Sequence, residues 1–116
     1  MKDDLIFHFT DTETWRAHKN SGEYSPEVLE QKGFIPCSTG YQINDTANRC
    51  FAGKAHLLLL IIDANRVKPT IKYEENTDTG QSFPHIYGPL NLDAVLDKIT
   101  LEPDESGAFD LQFVSD

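Results

Sequence analysis

Residues 55–63 read AHLLLLIID, and the six positions 57–62 within this stretch are continuously apolar. An apolar run of this length with polar flanks is typical of a β-strand that is covered on both faces. We therefore predict a central strand here, with the other elements packed against it. The run is far shorter than the ~20 residues that a transmembrane helix needs, so it does not indicate a membrane span.

Other strands are predicted where β-forming residues lie between turn signals. The stretch LIFHFT at residues 5–10 is the first of them, and residues 76–82 (NTDTGQS) form a polar loop between two later ones. At the end of the chain, residues 108–114 form either a terminal strand or a partly ordered tail. The remaining predicted strands span residues 34–38, 71–74, 83–87 and 96–101.

Three helices are predicted from their start and stop signals. Thr10 and Glu13 have the spacing of a capping box at the start of the first helix. A Ser-Pro-Glu sequence at 25–27 favours the start of the second, and Ser38 or Thr39 caps the third. The helices extend to about residues 21, 32 and 51. Helices early and strands late predict an α+β fold on a mixed or mainly antiparallel sheet.

The length and composition indicate one domain spanning residues 1–116, with a core at about 5–100 and a tail at about 103–116. Ten basic and 19 acidic residues give a net charge of −9. Nucleic-acid backbones and anionic membranes require positive protein surface, so neither is expected as the main partner. Arg49, Lys54 and Lys72 are candidates for a local basic pocket that binds phosphate.

Cys37 and Cys50 are the two cysteines, and their spacing matches neither a disulfide framework nor a zinc motif. We therefore predict no metal site. The first ten residues, MKDDLIFHFT, lack the apolar core of a signal peptide, which favours the cytoplasm as the compartment.

The strongest candidate for a functional site is the octapeptide FPHIYGPL at residues 83–90. Its prolines restrict the backbone, and in an extended segment His85 and Tyr87 point to the same side. A structural pair that holds a turn is the alternative to a functional one. Among the nearby acids, Glu74 or Glu75 could stabilise a developing positive charge, although paired acids before a loop also form ordinary solvated edges.

Two further candidates lie at strand ends. His8 and Thr10 share one face of the first strand, either as a site or as a half-buried histidine beside a hydrogen-bonding threonine. Ser38 and Thr39 stand at a strand-to-helix turn, where hydroxyls cap helices and where free N–H groups bind phosphate. Cys37 is more consistent with a small buried core residue than with a nucleophile.

Several motifs together resemble the domain-of-unknown-function 952 family, over roughly residues 5–100. They are I-F-H-F-T at 6–10, G-E-Y-S-P-E at 22–27, K-G-F-I-P-C-S-T at 32–39, L-L-L-L-I-I-D at 57–63 and F-P-H-I-Y-G-P-L at 83–90. The family usually reads G-F-I-H-C-S where this chain has Pro36. If that histidine is catalytic in relatives, the activity here is lost or altered; if it only shapes the site, little changes.

The family is similar in fold to ADP-ribosyltransferases and RNA 2′-phosphotransferases, which bind NAD in the cleft of a split antiparallel sheet. The resemblance implies that His8 and Thr10 form the first-strand element of such a site. It makes Ser38 or Thr39 the hydroxyl element, and His85 or Tyr87 the contact to nicotinamide or ribose. It does not identify the acid. This likeness is one of fold, and function must be argued from the site.

Three functions are compatible with these observations. The first is an NAD-type nucleotide binder or ADP-ribosyl-transferring enzyme, in which His8, Ser38, His85 and Tyr87 converge on one cleft. The second is a non-catalytic module on the same scaffold that binds a small ligand or a protein, which the proline at position 36 and the lack of a clear acid favour. The third is an acidic interaction protein that acts through its surface.

Overall fold

The computed structural model describes residues 5–40, 42–51, 57–77, 80–106 and 109. Over these residues the fold is α+β, with three α-helices and mainly antiparallel sheets. The helices are α1 (Thr12–His18), α2 (Glu27–Lys32) and α3 (Ile43–Cys50). The strands are β1 (Leu5–Thr10), β2 (Glu23–Tyr24), β3 (Ile35–Pro36), β4 (Leu57–Asp63), β5 (Thr70–Glu75), β6 (Ser82–Tyr87), β7 (Leu90–Asn91) and β8 (Val95–Leu101). Short 3-10 turns cover Ala64–Arg66 and Leu92–Ala94.

The apolar strand β4 is central, as the sequence predicted. It lies between β1 and β8 and pairs antiparallel with both. Its alternate side chains enter two different cores: Leu58 and Leu60 pack with Ile6 and Tyr24 on one face, and Leu59 packs on the other. That second core contains Phe7, Phe9, Ile43, Ala47, Leu57, Leu101 and Phe109. The run is continuously apolar because the pleat directs its side chains alternately into two buried environments.

A second three-stranded sheet, in the order β3-β6-β5, is joined to the first by backbone contacts around residues 37 and 38. The N–H of Phe7 donates to the carbonyl of Ser38 at 2.8 Å, and the N–H of Ser38 donates to the carbonyl of Phe7 at 2.7 Å. One residue earlier, the N–H of Cys37 donates to the carbonyl of Pro84 at 2.9 Å. This segment therefore connects β1 of one sheet to β6 of the other. The predicted strand 34–38 is regular only over Ile35–Pro36, because its last residues turn to reach β1.

The predicted caps of the first and third helices were wrong. Asp11, not Thr10, caps α1, and its Oδ1 accepts the N–H of Thr14 at 2.7 Å. Helix α3 begins at Ile43, well after Ser38 and Thr39, so neither hydroxyl caps it. Instead the N–H of Thr39 donates to Oε1 of Gln42 at 2.9 Å, and Gln42 precedes the helix.

The second helix follows its signals more closely. Pro26 precedes α2 with extended backbone angles, so it takes the cap position rather than the first helical position, and Ser25 lies one residue further out. Gly33 ends the helix with φ of 84°, in the left-handed region that glycine adopts without strain.

The predicted C-terminal strand or tail lies outside the described residues except for Phe109. The Phe109 side chain is buried in the second core. Asn48 on α3 holds its backbone from both sides: Nδ2 donates to the Phe109 carbonyl at 2.8 Å, and Oδ1 accepts its N–H at 2.7 Å. An amide side chain here takes the place of a neighbouring strand.

We expect truncation of a buried leucine on β4 to cost far more stability than the same truncation at an exposed site. Leu60→Ala should lower the free energy of unfolding by about 2–5 kcal/mol, because Leu60 is fully buried and leaves a cavity. Leu96→Ala is the control, since Leu96 is 49% exposed and should lose less than about 1 kcal/mol. Urea denaturation of both variants checks this, and equal losses would contradict the central position of β4.

Candidate functional site

The two sheets and α3 border one cleft of about 730 Å³. The end of β1, Phe34, residues 36–38, one face of α3 and the facing ends of β5 and β6 line it, together with Tyr24 and residues of α1 and α2. Of the six candidate site residues, the cleft wall contains His8, Thr10, Ser38 and His85. Tyr87 is connected to the cleft through Glu74, and Thr39 is not part of the wall. The structure therefore brings most of the predicted residues to one place.

Glu74 is the centre of the β5–β6 end of the cleft. Its Oε1 accepts hydrogen bonds from Nδ1 of His85, at 2.6 Å, and from the hydroxyl of Tyr87. The pairing register places Phe83 directly opposite Glu74, so His85 is its diagonal neighbour and Tyr87 lies two residues further along the same face of β6. Both hydrogen bonds end on Oε1, and Oε2 accepts none from the described residues.

Aromatic packing fixes the orientation of His85. The ring of Phe34 stacks on the imidazole with a centroid distance of 4.0 Å and an interplanar angle of 10°. Phe34 also contacts the ring of Tyr87 at 5.5 Å, and Nζ of Lys72 lies 5.2 Å from the centre of that ring. The pair that the sequence identified is thus held between an aromatic ring and a carboxylate.

The hydrogen bonds at Glu74 set its charge. Donation from Tyr87 first, and then from His85, stabilises the carboxylate and lowers the pKa of Glu74 below its ordinary value. The same interaction raises the pKa of Tyr87, because loss of its proton would remove the bond to Glu74 and place two negative charges side by side. Glu74 is therefore a carboxylate at neutral pH, able to stabilise a positive charge that develops in the cleft.

Sequence reasoning did not decide between Glu74 and Glu75. The two side chains point to opposite faces of β5, and only Glu74 shares a face with His85 and Tyr87. The signal that could have found it is the register of β5 against β6, which neither strand reveals alone.

The first-strand end of the cleft contains a hydrogen-bonded chain through His8. Nδ1 of His8 lies 2.7 Å from the carbonyl oxygen of Pro36, and Nε2 lies 2.9 Å from the hydroxyl of Tyr24. That hydroxyl is also 2.8 Å from Oγ1 of Thr10. A carbonyl oxygen can only accept, so Nδ1 of the neutral ring carries the proton and Nε2 is an acceptor. Tyr24 then donates to His8, and Thr10 donates to Tyr24.

Burial keeps this chain uncharged. His8 is 4% exposed, and desolvation lowers its pKa to about 4 in spite of the contact with Pro36. Burial likewise raises the pKa of Tyr24. Both ring nitrogens of His8 have partners within the protein, so the residue positions Tyr24 and Thr10. Tyr24 was missed as a site residue, although it lies within the G-E-Y-S-P-E motif.

Pro36 contacts His8 through its backbone. The carbonyl that accepts the proton of Nδ1 would be present with any residue at this position, so the contact does not depend on the proline side chain. The proline side chain itself lies in the cleft wall, where it pairs across the sheet with His85.

The neighbouring Cys37 is a buried core residue, as predicted. Its thiol lies 3.7 Å from the carbonyl of Ile35, and burial raises its pKa. A thiol in this environment is protonated at neutral pH and is a poor nucleophile. In the described part of the chain, histidine, cysteine and acidic side chains form no cluster able to hold a metal ion.

These features define a small α+β protein with antiparallel sheets around one ligand-sized cleft. The chain belongs to the family described as "Protein of unknown function (DUF952)", whose model matches residues 9–98. This match confirms the family that the motifs suggested.

Solved structures of one relative share the fold. The crystal structure of protein CC0527 from Caulobacter crescentus is 33% identical, with a TM-score of 0.82 over 91% of this chain and 93% of that chain. Its solution NMR structure is likewise 33% identical, with a TM-score of 0.77 over 93% of this chain and 91% of that chain. A search of curated proteins gave no match. Across the described segments, no helix has the length and apolar character needed to cross a bilayer.

We predict that His8 makes folding pH-dependent between about pH 6.5 and 4. Its pKa is 6.5 ordinarily and about 4 in the folded protein, so unfolding takes up a proton in this range. The stabilisation is complete above pH 6.5 and is lost as the pH falls towards 4, by roughly 3 kcal/mol in total. Urea denaturation at pH 7, 5.5 and 4.5 should show a smaller dependence for His8→Gln than for the wild type, with His18→Gln as the control.

Should His8→Gln fail to fold, the ring nitrogen shifts of His8 in the wild-type protein give the same answer by NMR. The Nδ1–H form should persist to about pH 5. A cationic ring at pH 6 would contradict both the burial argument and the direction of the hydrogen-bonded chain.

We predict that Tyr87→Phe raises the pKa of Glu74 towards its ordinary value. The substitution removes the hydrogen bond that contributes most to the lowered pKa and leaves the ring in place. Tyr73→Phe is the matched control, because Tyr73 lies next to Glu74 in sequence but is 56% exposed. Titration of the Glu74 carboxyl carbon by NMR measures the effect, and identical titration curves for the two variants would refute it.

Proposed function

We propose that the cleft binds NAD or a related nucleotide and that Glu74 supports chemistry of the ADP-ribosyl-transfer type. The observation that carries the proposal is that the Glu74 carboxylate lines the same cleft as Thr10 and Ser38. An acid on a later strand, together with a first-strand element and a hydroxyl element, is the combination that the likeness to ADP-ribosyltransferases implies.

The proposed reaction breaks the bond between the nicotinamide nitrogen and the anomeric carbon of ribose. The electron pair leaves with nicotinamide, and positive charge develops on the ribose as an oxocarbenium-like state. Water or an acceptor hydroxyl then adds to the anomeric carbon and loses its proton to solvent. A fixed carboxylate beside that carbon stabilises the charge as it forms. Glu74 meets this need, because its two hydrogen bonds keep it ionised and oriented.

The dimensions and lining of the cleft support a small organic ligand. Its volume of about 730 Å³ lies within the range of small-molecule sites, ~300–1,000 Å³. Phe34 and His85 offer stacked planar rings beside Glu74, which suits a flat heterocycle. In this proposal His8 does not contact the ligand. It orients the hydroxyls of Tyr24 and Thr10.

Binding without catalysis is the second candidate function. Two features favour it: the family resemblance places a histidine where this chain has Pro36, and both ring nitrogens of His8 are bonded within the protein. A non-catalytic module would use the same cleft and the same residues for recognition.

The test is an amide NMR titration of the labelled protein with ADP-ribose and with NAD, followed by an assay for nicotinamide release. We expect saturable shifts clustered at Thr10, Ser38 and His85. Glu74→Gln should bind ADP-ribose but release nicotinamide at least roughly 10²-fold more slowly. Glu30→Gln is the control, since Glu30 is an exposed residue of α2 outside the cleft.

The outcomes separate the two candidates. Saturable binding with no nicotinamide release in the wild type would refute catalysis and support the non-catalytic function. The absence of clustered shifts at millimolar nucleotide would refute nucleotide binding in both forms.

A further inference from the structure

We infer that the α3 end of the cleft is a separate subsite for an anionic, oxygen-rich group such as phosphate, formed by Ser38, Thr46 and Arg49. The inference deepens the proposed nucleotide binding and relies on it for the identity of the complete ligand. The anion-binding step itself can be tested alone.

The first observation is the hydroxyl of Thr46. It is shielded from solvent and has no hydrogen-bond partner among the described residues, although Thr46 lines the cleft. A buried polar group without a partner destabilises the protein that contains it. Threonine in a helix uses two side-chain rotamers, so the hydroxyl can change its direction without movement of α3.

The second observation is the hydroxyl of Ser38. The backbone of Ser38 is occupied by its two hydrogen bonds to Phe7, which fix the residue at the junction of the sheets. Its hydroxyl, in contrast, has no partner in the part of the chain that the structure describes, and the residue lines the cleft. Ser38 therefore offers a rigidly positioned donor.

The third observation is the guanidinium of Arg49, one helical turn after Thr46 and on the same face of α3. Nη2 and Nε donate to Oδ2 of Asp45 at 2.9 and 3.3 Å, and Nη1 has no partner among the described residues. The Arg49 and Asp45 side chains are 38% and 62% exposed, so this ion pair contributes little to stability. Arg49 can therefore bind a ligand in addition to Asp45. Arginine binds phosphate through several parallel hydrogen bonds.

The charges at the two ends of the cleft would orient the ligand. Glu74 and Glu75 give the β5–β6 end a negative charge, which repels an anion, whereas Arg49 is the cation on α3. The other charged residues that line the cleft are Asp11, Glu27 and Lys32, at the start of α1 and on α2. A nucleotide would therefore lie with its phosphate at α3 and its electron-poor ring at Glu74. In a chain with a net charge of −9, binding of an anion requires local donors of this kind.

Inorganic phosphate and ribose 5-phosphate are suitable probes, because neither carries a nucleobase. In an NMR titration of the full chain, we expect shifts at Ser38, Thr46 and the Nε–H of Arg49. Arg49→Gln should weaken phosphate binding about tenfold or more. Arg16→Gln, an exposed arginine on α1, is the control, and Glu74→Gln should bind phosphate at least as well as the wild type.

Thr46→Val separates a ligand-binding role from a structural one. Because valine has the same shape but no unpaired hydroxyl, the variant should unfold at a higher urea concentration than the wild type while binding phosphate several-fold more weakly. Thr100→Val, at an exposed position on β8, should change neither quantity. A Thr46→Val protein that binds phosphate as the wild type does would remove Thr46 from the subsite.

The subsite is overturned if phosphate and ribose 5-phosphate give no shifts at α3, or if Arg49→Gln binds them unchanged. Its failure is distinguishable from that of the proposed function. Phosphate shifts at α3 without any response to NAD or ADP-ribose would support the subsite and refute the nucleotide proposal. Nucleotide shifts confined to Glu74 and His85, with no response at α3, would refute the subsite and support nucleotide binding.

Discussion

Two backbone hydrogen bonds between Phe7 and Ser38 determine where the cleft forms. They hold the turn after β3 against β1, and the Cys37–Pro84 bond attaches the same turn to β6. Four side chains of the cleft wall come from the two sides of this junction: His8 and Thr10 from the first sheet, and Glu74 and His85 from the second. The side chains on which the proposed chemistry depends are thus positioned by main-chain contacts that require only a residue other than proline at positions 7, 37 and 38.

The two histidines of the site show how the same side chain is given different properties. His8 is buried between a carbonyl and a phenol, so it stays neutral and contributes only orientation. His85 is held against a carboxylate by a stacked phenyl ring, at the end of the cleft that carries charge. Burial and hydrogen-bond partners, rather than residue type, give the two side chains their different environments.

Local signals in the sequence predicted the strands well. An apolar run such as that of β4 reports burial on both faces without reference to any partner, and Gly33 stops a helix by its own conformation. The capping prediction failed at Thr10 because β1 extends through that residue, and the next residue, Asp11, accepts the N–H of Thr14. Glu74 could not be chosen over Glu75 from local sequence, since its role follows from the register of β5 against β6. The parts of the site that sequence could not supply are those that depend on pairing between strands.

Pro36 illustrates how a protein can separate scaffold from chemistry at one residue. Its carbonyl oxygen holds His8, and its side chain forms part of the cleft wall. Exchange of the side chain therefore leaves the buried hydrogen-bonded chain in place while it changes the surface that a ligand meets.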